Sequence, residues 1–211
     1  MAAVSPRRPR TRRRVLGPSD HGRRMSFEEF IKCGFEETGL YELARGIIVV
    51  TDIPPPEHGR IVARVWELFL FYNAAHPGLI QYQGGGSESR IRVPGMRSDR
   101  HPDFAVYLDP EPPAEGPAVW TAWVPHLIIE VVSRGSKRRD YVEKAEEYLR
   151  IGVREYWILD PARREMLVHR RVGDIWQKQP IRVGRSYRTP LLPGLIVRPA
   201  ELLGLAPERG R

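Results

Sequence analysis

Six consecutive residues, Leu127-Ile128-Ile129-Glu130-Val131-Val132, constrain the fold more than any other stretch of the chain. All but Glu130 are apolar, with no polar alternation, which is the pattern of a central strand covered on both faces. Downstream, residues 140–151 have the pattern of a helix closed by Gly152, a C-terminal cap, and residues 155–159 that of another strand. A helix that joins two strands of one sheet makes them parallel neighbours. The middle of the molecule is therefore expected to be a strand-helix-strand unit with one acid set into its most buried strand.

The flanking segments complete an α/β pattern. Ser26 and Glu29 have the spacing of a capping box and open a short helix reaching about Gly34. Residues 41–44 and 47–50 suggest a strand pair around Gly46, ended by Pro54-Pro55-Pro56. Across residues 58–75, Ile61, Val62, Val65, Leu68, Phe69 and Tyr72 recur at helical spacing, so a long amphipathic helix is expected, stopped by Pro77-Gly78. Strands are expected at 79–83 and 87–93, flanking a turn at Gly84-Gly85-Gly86, and again at 103–108. A terminal hairpin at 166–170 and 176–179 and a short helix at 200–203 close the chain. The sum is an α/β sandwich whose small mixed sheet is flanked by helices.

A length of 211 residues suits one domain with a real core, and the pattern occupies residues 25–205. Residues 206–211 read as a flexible tail. Residues 1–24 hold eight arginines against one acid, Asp20, a net of +7 within a chain total of +8. The body is thus nearly neutral, and no globally basic surface is expected on it. With Pro6, Pro9 and Pro18 and no apolar period, the arm is expected to be disordered. Two readings of it stand side by side: a phosphate-binding arm acting through counterion release, or an extension upstream of a true start at Met25. No apolar run approaches the roughly 18 to 20 residues that cross a bilayer, and no secretory signal is visible, so a cytoplasmic protein without a membrane partner is expected. Cys33, the sole cysteine, excludes an internal disulfide framework and reads as a packing residue of the first helix.

An ionised carboxylate in a buried strand is costly unless it is paired or bound to a cation. Glu130 has that setting, and Asp103, directly before Phe104-Ala105-Val106, has a similar one. Two neighbouring strands that each present one carboxylate at a similar height would form an oxygen-lined site suited to magnesium. The bland alternative is that Asp103 caps a strand end and Glu130 pairs with an arginine. A third group favours the first reading. Lys144 is one of only four lysines, and it falls mid-helix just after the Glu130 strand, in an i, i+4, i+8 stripe with Asp140 and Tyr148. An ammonium there could orient or help deprotonate an attacking water and screen a phosphate.

Several motifs now line up in order: Pro102-Asp103, Ile129-Glu130-Val131-Val132-Ser133, Arg139-Asp140, Glu143-Lys144, Tyr148, and Gly152-Val153-Arg154-Glu155-Tyr156-Trp157-Ile158-Leu159-Asp160-Pro161. Met25 to Phe30, Tyr41-Glu42-Leu43, His58 to Val62 and Leu192-Pro193-Gly194-Leu195 extend the match over residues 25–205. This series resembles the Uma2 family of restriction-endonuclease-like proteins. The resemblance implies a PD-(D/E)XK nuclease-like fold, a divalent-metal site for Mg2+ or Mn2+, DNA as partner, and a homodimer. It maps the metal-binding and catalytic acids onto Asp103 and Glu130. The usual lysine position is occupied by Val132, so the resemblance transfers the basic role to Lys144. It adds Glu42, with Asp140, Ser133 and Tyr148 as further site residues. The family commonly carries Asp-Gly-Glu after the first strand, where this chain has Arg45-Gly46-Ile47, so two acids are absent.

The six histidines show no zinc-ligand spacing. His58 is read as a cap or packing residue, and His101 is explained equally well by exposure or by substrate contact. The glycines at 84–86 lack the lysine of a phosphate loop and read as a turn, while Trp120, Trp123, Trp157 and Trp176 read as core aromatics. A magnesium-dependent DNA endonuclease is the leading expectation, and a catalytically silent nucleic-acid-binding module of the same fold is the alternative.

Overall fold

The computed structural model describes residues 13–51 and 54–206. In chain order, its main strands are β1 (Leu40–Ala44), β2 (Ile47–Thr51), β3 (Tyr82–Gly84), β4 (Ile91–Val93), β5 (Ser98–Arg100), β6 (Phe104–Tyr107), β7 (Leu127–Val131), β8 (Glu155–Asp160), β9 (Glu165–Val172) and β10 (Ile175–Arg182). Helix α1 (Pro56–Ala75) follows β2. Helix α2 (Ala145–Ile151) continues directly from a π-helical turn, Arg139–Lys144, between β7 and β8. The larger sheet runs β10-β9-β8-β7-β6-β3 and the smaller β2-β1-β5-β4. Strands β7 and β8 are parallel, with Leu127 beside Glu155 and Glu130 beside Ile158, and the other pairs of the two sheets are antiparallel.

Residues of β7 alternate between two packed layers. Leu127, Ile129 and Val131 join Ile61, Val65 and Phe69 of α1 in one core. Ile128 joins Ala145 and Tyr148 on the opposite face. Glu130 follows the parity of Ile128 and therefore points into the α2 layer, with 2% of its surface exposed. Each fully buried branched side chain contributes roughly 1.5–3 kcal/mol, so Leu127, Ile128, Ile129 and Val131 together can offset the placement of one carboxylate among them. Gly152, at φ +100°, closes α2 and turns the chain into β8, as expected for a left-handed cap.

The structure departs from the sequence expectation in three places. First, no hairpin forms across Gly84-Gly85-Gly86: β3 joins the larger sheet and β4 the smaller. The glycines serve a close approach, since a Cβ on Gly85 would lie 2.1 Å from the carbonyl oxygen of Asp103. Second, β5 had no apolar signal, yet Ser98, Asp99 and Arg100 are all fully buried. They pair internally, Asp99 with Arg90 at 3.1 Å and Arg100 with Glu147 at 2.7 Å.

Third, residues 13–24 belong to the fold, which corrects the expected disorder of that part of the arm. Val15–Leu16 pairs in parallel with Gly34–Phe35, and the first helix is only Phe27–Phe30. Leu16 is enclosed by Phe27, Phe30, Cys33 and Tyr41, and that burial offsets the cost of ordering the segment. Asp20 is held by Arg14 and Arg23. The arm's residues 1–12 and the tail's 207–211 lie outside the described residues. Among those described, no helix is long and apolar enough to cross a membrane.

Candidate active site

Strands β6 and β7 set the two acids side by side. Phe104 pairs with Ile129, and one step further along that antiparallel register Asp103 comes opposite Glu130. Asp103 is held by its Oδ2, which accepts the Val131 N–H at 2.7 Å and lies 3.2 Å from His58 Nε2. Its Oδ1 has no hydrogen-bond partner among the described residues, and the side chain is 23% exposed. Glu130 is held from behind: Tyr148 OH donates to Oε1 at 2.8 Å, and Lys144 Nζ lies 2.8 Å from Oε2.

Lys144 reaches Glu130 from the end of the π-helical turn, where it also lies 3.4 Å from Asp140 Oδ1. Asp140 Oδ2 accepts from Ser136 Oγ, and the Asp140 carbonyl accepts from Tyr156 OH at 2.9 Å. From the smaller sheet, Glu42 accepts the His101 N–H at 3.0 Å and lies 3.3 Å from Arg100. These groups face one cavity of about 500 Å3, lined by Glu42, His58, Asp103, Glu130, Asp140 and Lys144, with Ser133 at its edge.

Charge within the cavity is strongly coupled. Burial pushes the Glu130 carboxyl up to about 8; Lys144 opposes this, and Asp103 and Asp140 add to it. Burial disfavours the Lys144 ammonium, but Glu130, Glu42, Asp140 and Asp103 outweigh it and hold the lysine pKa above its ordinary value. Burial likewise opposes the charge of Glu42, yet Lys144, Arg100 and the His101 N–H hold its carboxyl down to about 2. For His58, burial opposes the charged form, and the hydrogen bond and charge of Asp103 overcome it, so its pKa is raised. Burial and Glu130 keep the Tyr148 hydroxyl protonated.

The donors are all oxygen, as a hard cation requires. Among the described residues, no three His, Cys, Asp or Glu side chains form a cage for a metal. Mg2+ is normally held by one or two carboxylates with waters and substrate phosphates completing the shell. Asp103, with Oδ1 unpartnered among the described residues, fits that requirement, and Glu130 adds a second carboxylate whose oxygens are engaged by Tyr148 and Lys144.

The structure thus brings together Asp103, Glu130, Lys144, Asp140, Glu42 and Ser133, with Tyr148 behind Glu130 and outside the cavity lining. Arg45 and Ile47, where family acids are absent, do not line it either, and Arg45 pairs instead with Glu146 at 2.7 Å. His58, expected to be a cap or packing residue, is carried by the N-terminal turn of α1 to Asp103, 3.2 Å away. No spacing in the sequence connects those two positions. Arg139, part of the Arg139-Asp140 motif but given no role there, also lines the cavity, as does Arg134, which the sequence did not single out in a chain where arginine is so common.

The family model described as Uma2, "Putative restriction endonuclease", matches residues 27–201. The chain belongs to the Uma2 family. Uma2 membership places it in a family whose description is "Putative restriction endonuclease". Among solved structures, the Uma2 chain resembles a crystal structure described as a putative nuclease of a domain family of unknown function from Anabaena variabilis. The TM-score is 0.65 at 18% identity, over 85% of this chain and 98% of that one. That likeness shows the shared restriction-endonuclease-like fold. No curated protein matches the chain.

Proposed function

We propose that the protein is a divalent-cation-dependent endonuclease that hydrolyses DNA phosphodiester bonds, acting as a homodimer. The observation that carries this reading is the meeting of Asp103, Glu130 and Lys144 in one cavity. Asp103 and Glu130 are the residues that would hold Mg2+ or Mn2+. Bound there, the cation would draw charge from the phosphate and stabilise the leaving oxygen.

The chain's own groups have distinct tasks. His58 and the Val131 N–H fix Asp103 by one oxygen and leave the other free to bind a cation. Tyr148 fixes Glu130. Lys144 keeps its proton, so it serves as a hydrogen-bond donor that orients water and screens a phosphate oxygen, not as a base. The water oxygen forms a bond to phosphorus and gives up a proton to bulk solvent, the bond from phosphorus to the 3′ oxygen breaks with that oxygen taking up a solvent proton, and the 5′-phosphate product is the one the family resemblance implies.

Supercoiled plasmid incubated with purified protein and Mg2+ tests the assignment, beside Asp103→Ala and Lys144→Ala. Wild-type nicking lost in both variants is expected, and equal nicking by all three rules the reading out. A silent nucleic-acid-binding module is favoured by one observation: both Glu130 oxygens are already engaged by protein groups. Calorimetric titration with Mn2+ separates the two, since DNA affinity without cation binding supports the module.

A further inference from the structure

A second cavity of about 500 Å3 adjoins the first. The two share Pro55, His58, Ser133, Arg134 and Gly135, so the turn at residues 133–136 forms a low wall between them. The turn is tight, with the Ser136 N–H donating to the Ser133 carbonyl at 3.1 Å and Gly135 at φ +91°. The first cavity carries Glu42, Asp103, Glu130 and Asp140 beside Lys144, Arg134 and Arg139, while the second carries Arg134 and Lys137 with Glu57 and Asp160.

Arg134 is exposed and has no acidic partner within 4 Å among the described residues. Lys137 is exposed too, its ammonium 5.9 Å from the centre of the Tyr141 ring, which gives the flexible side chain a resting place beside the cavity. Arg138, one residue on, turns instead toward Glu143 at 3.7 Å and lines neither cavity. The second cavity contains two acids: Asp160 is buried and accepts from Tyr141 OH at 2.9 Å and from the Arg163 N–H at 3.0 Å, while Glu57 is exposed in the first turn of α1. Val132, Pro161 and Ala162 supply an apolar wall. No asparagine or glutamine, the side chains suited to reading adenine edges, lies in the lining.

We propose that this second cavity is a subsite for the backbone phosphate next to the one being cut, gripped by Arg134 and Lys137. The proposal rests on the nuclease reading for its choice of polymer. It adds that the chain holds its substrate by a sequence-independent contact, since phosphate contacts position a nucleic acid and do not specify it.

Fluorescence anisotropy with a labelled DNA duplex in EDTA, where no bond is cut, tests it. The wild type is compared with Arg134→Ala/Lys137→Ala and with Arg138→Ala across a salt series. The double variant is expected to bind more weakly, with the slope of log Kd against log salt reduced by about 0.9, the value of one phosphate contact. The loss should be equal for two unrelated sequences, and Arg138→Ala should match the wild type. An unchanged slope, no wild-type binding, or an equal loss in Arg138→Ala overturns the subsite. Hydrolysis supplies an independent readout: Lys137→Ala alone, at a position that lines the second cavity and not the first, should raise KM for the duplex at constant kcat and leave bis(p-nitrophenyl) phosphate, which has no second phosphate, unaffected. A wild type that cuts neither substrate counts against the nuclease reading, whereas the salt slope still reads the subsite.

Discussion

Lys144 meets Glu130 at 2.8 Å from the end of a helical turn wound wider than an α-helix. Wide turns of this kind recur at functional sites because they re-aim side chains that an even helix would direct elsewhere. Here the turn lets Lys144 contact Glu130 and Asp140 together, while Tyr148, one turn on, still reaches the same glutamate.

Replacing Lys144 with Met keeps the side-chain length and removes the charge. Plasmid nicking is expected to fall by about 10²–10³-fold, the usual effect of deleting one preorganised donor. Breaking a buried pair ordinarily costs about 3–5 kcal/mol because a lone charge remains. Glu130, with its pKa pushed up to about 8, can take a proton instead. The loss of stability should therefore be small near pH 6 and grow toward pH 9, as urea denaturation at the two values would reveal. A loss independent of pH would contradict the elevated Glu130 pKa.

Acid sensitivity should originate partly at His169. Its ring is fully buried against Tyr156 and Trp176, and burial pushes its pKa down to about 4. A depressed folded-state pKa means that the contribution is fully present above about 6.5, the unfolded value, and is lost as pH falls through 4. His169→Phe keeps a ring in the stack and should flatten the fall of Tm across that window. Parallel falls in variant and wild type would assign the sensitivity to other groups.

At Gly85 a Cβ would meet the Asp103 carbonyl oxygen at 2.1 Å, a backbone contact that no side-chain rotation relieves. Gly85→Ala is expected to cost about 1–3 kcal/mol and to reduce nicking by displacing Asp103. Gly95→Ala, where nothing lies within 4 Å, is the matched control. Equal Tm and activity in the two variants would show that the close approach has no bearing on the site.

Arg100 is fully buried and bridges Glu147 on α2 at 2.7 Å and Glu42 on β1 at 3.3 Å. Arg100→Met takes the bidentate partner from Glu147, leaving it Ser98 and Arg45, and leaves Glu42 to Lys144 and the His101 N–H, for an expected loss of about 3 kcal/mol. Glu147→Gln should cost less, and a double-mutant cycle by chemical denaturation should give a coupling of about 0.5–3 kcal/mol. Coupling near zero would mean that the pair adds nothing to stability.

Legibility in the sequence followed polarity. The β7 run, the α1 period and the Gly152 cap were all visible because apolar spacing and a glycine stop leave direct marks, and the same run exposed Glu130 as an acid out of place. Strand β5 was invisible because Ser98-Asp99-Arg100 reads as loop until Glu147, distant in sequence, is known to face it. His58 was undervalued for a related reason: its contact with Asp103 joins a helix start to a strand end 45 positions away. The burial of Leu16 was hidden by the arginines around it, whose charges remain at the surface while one leucine enters the small N-terminal core.

The wide turn at Arg139–Lys144 makes this stretch of chain intolerant of changes in length. Deleting one residue from it would rotate everything downstream by about 100°, carrying Tyr148 away from Glu130 and Glu147 away from Arg100 in a single event. Substitutions at its exposed position, Val142, leave that phase untouched. Relatives that share this chemistry should therefore vary in residue type here far more freely than in spacing.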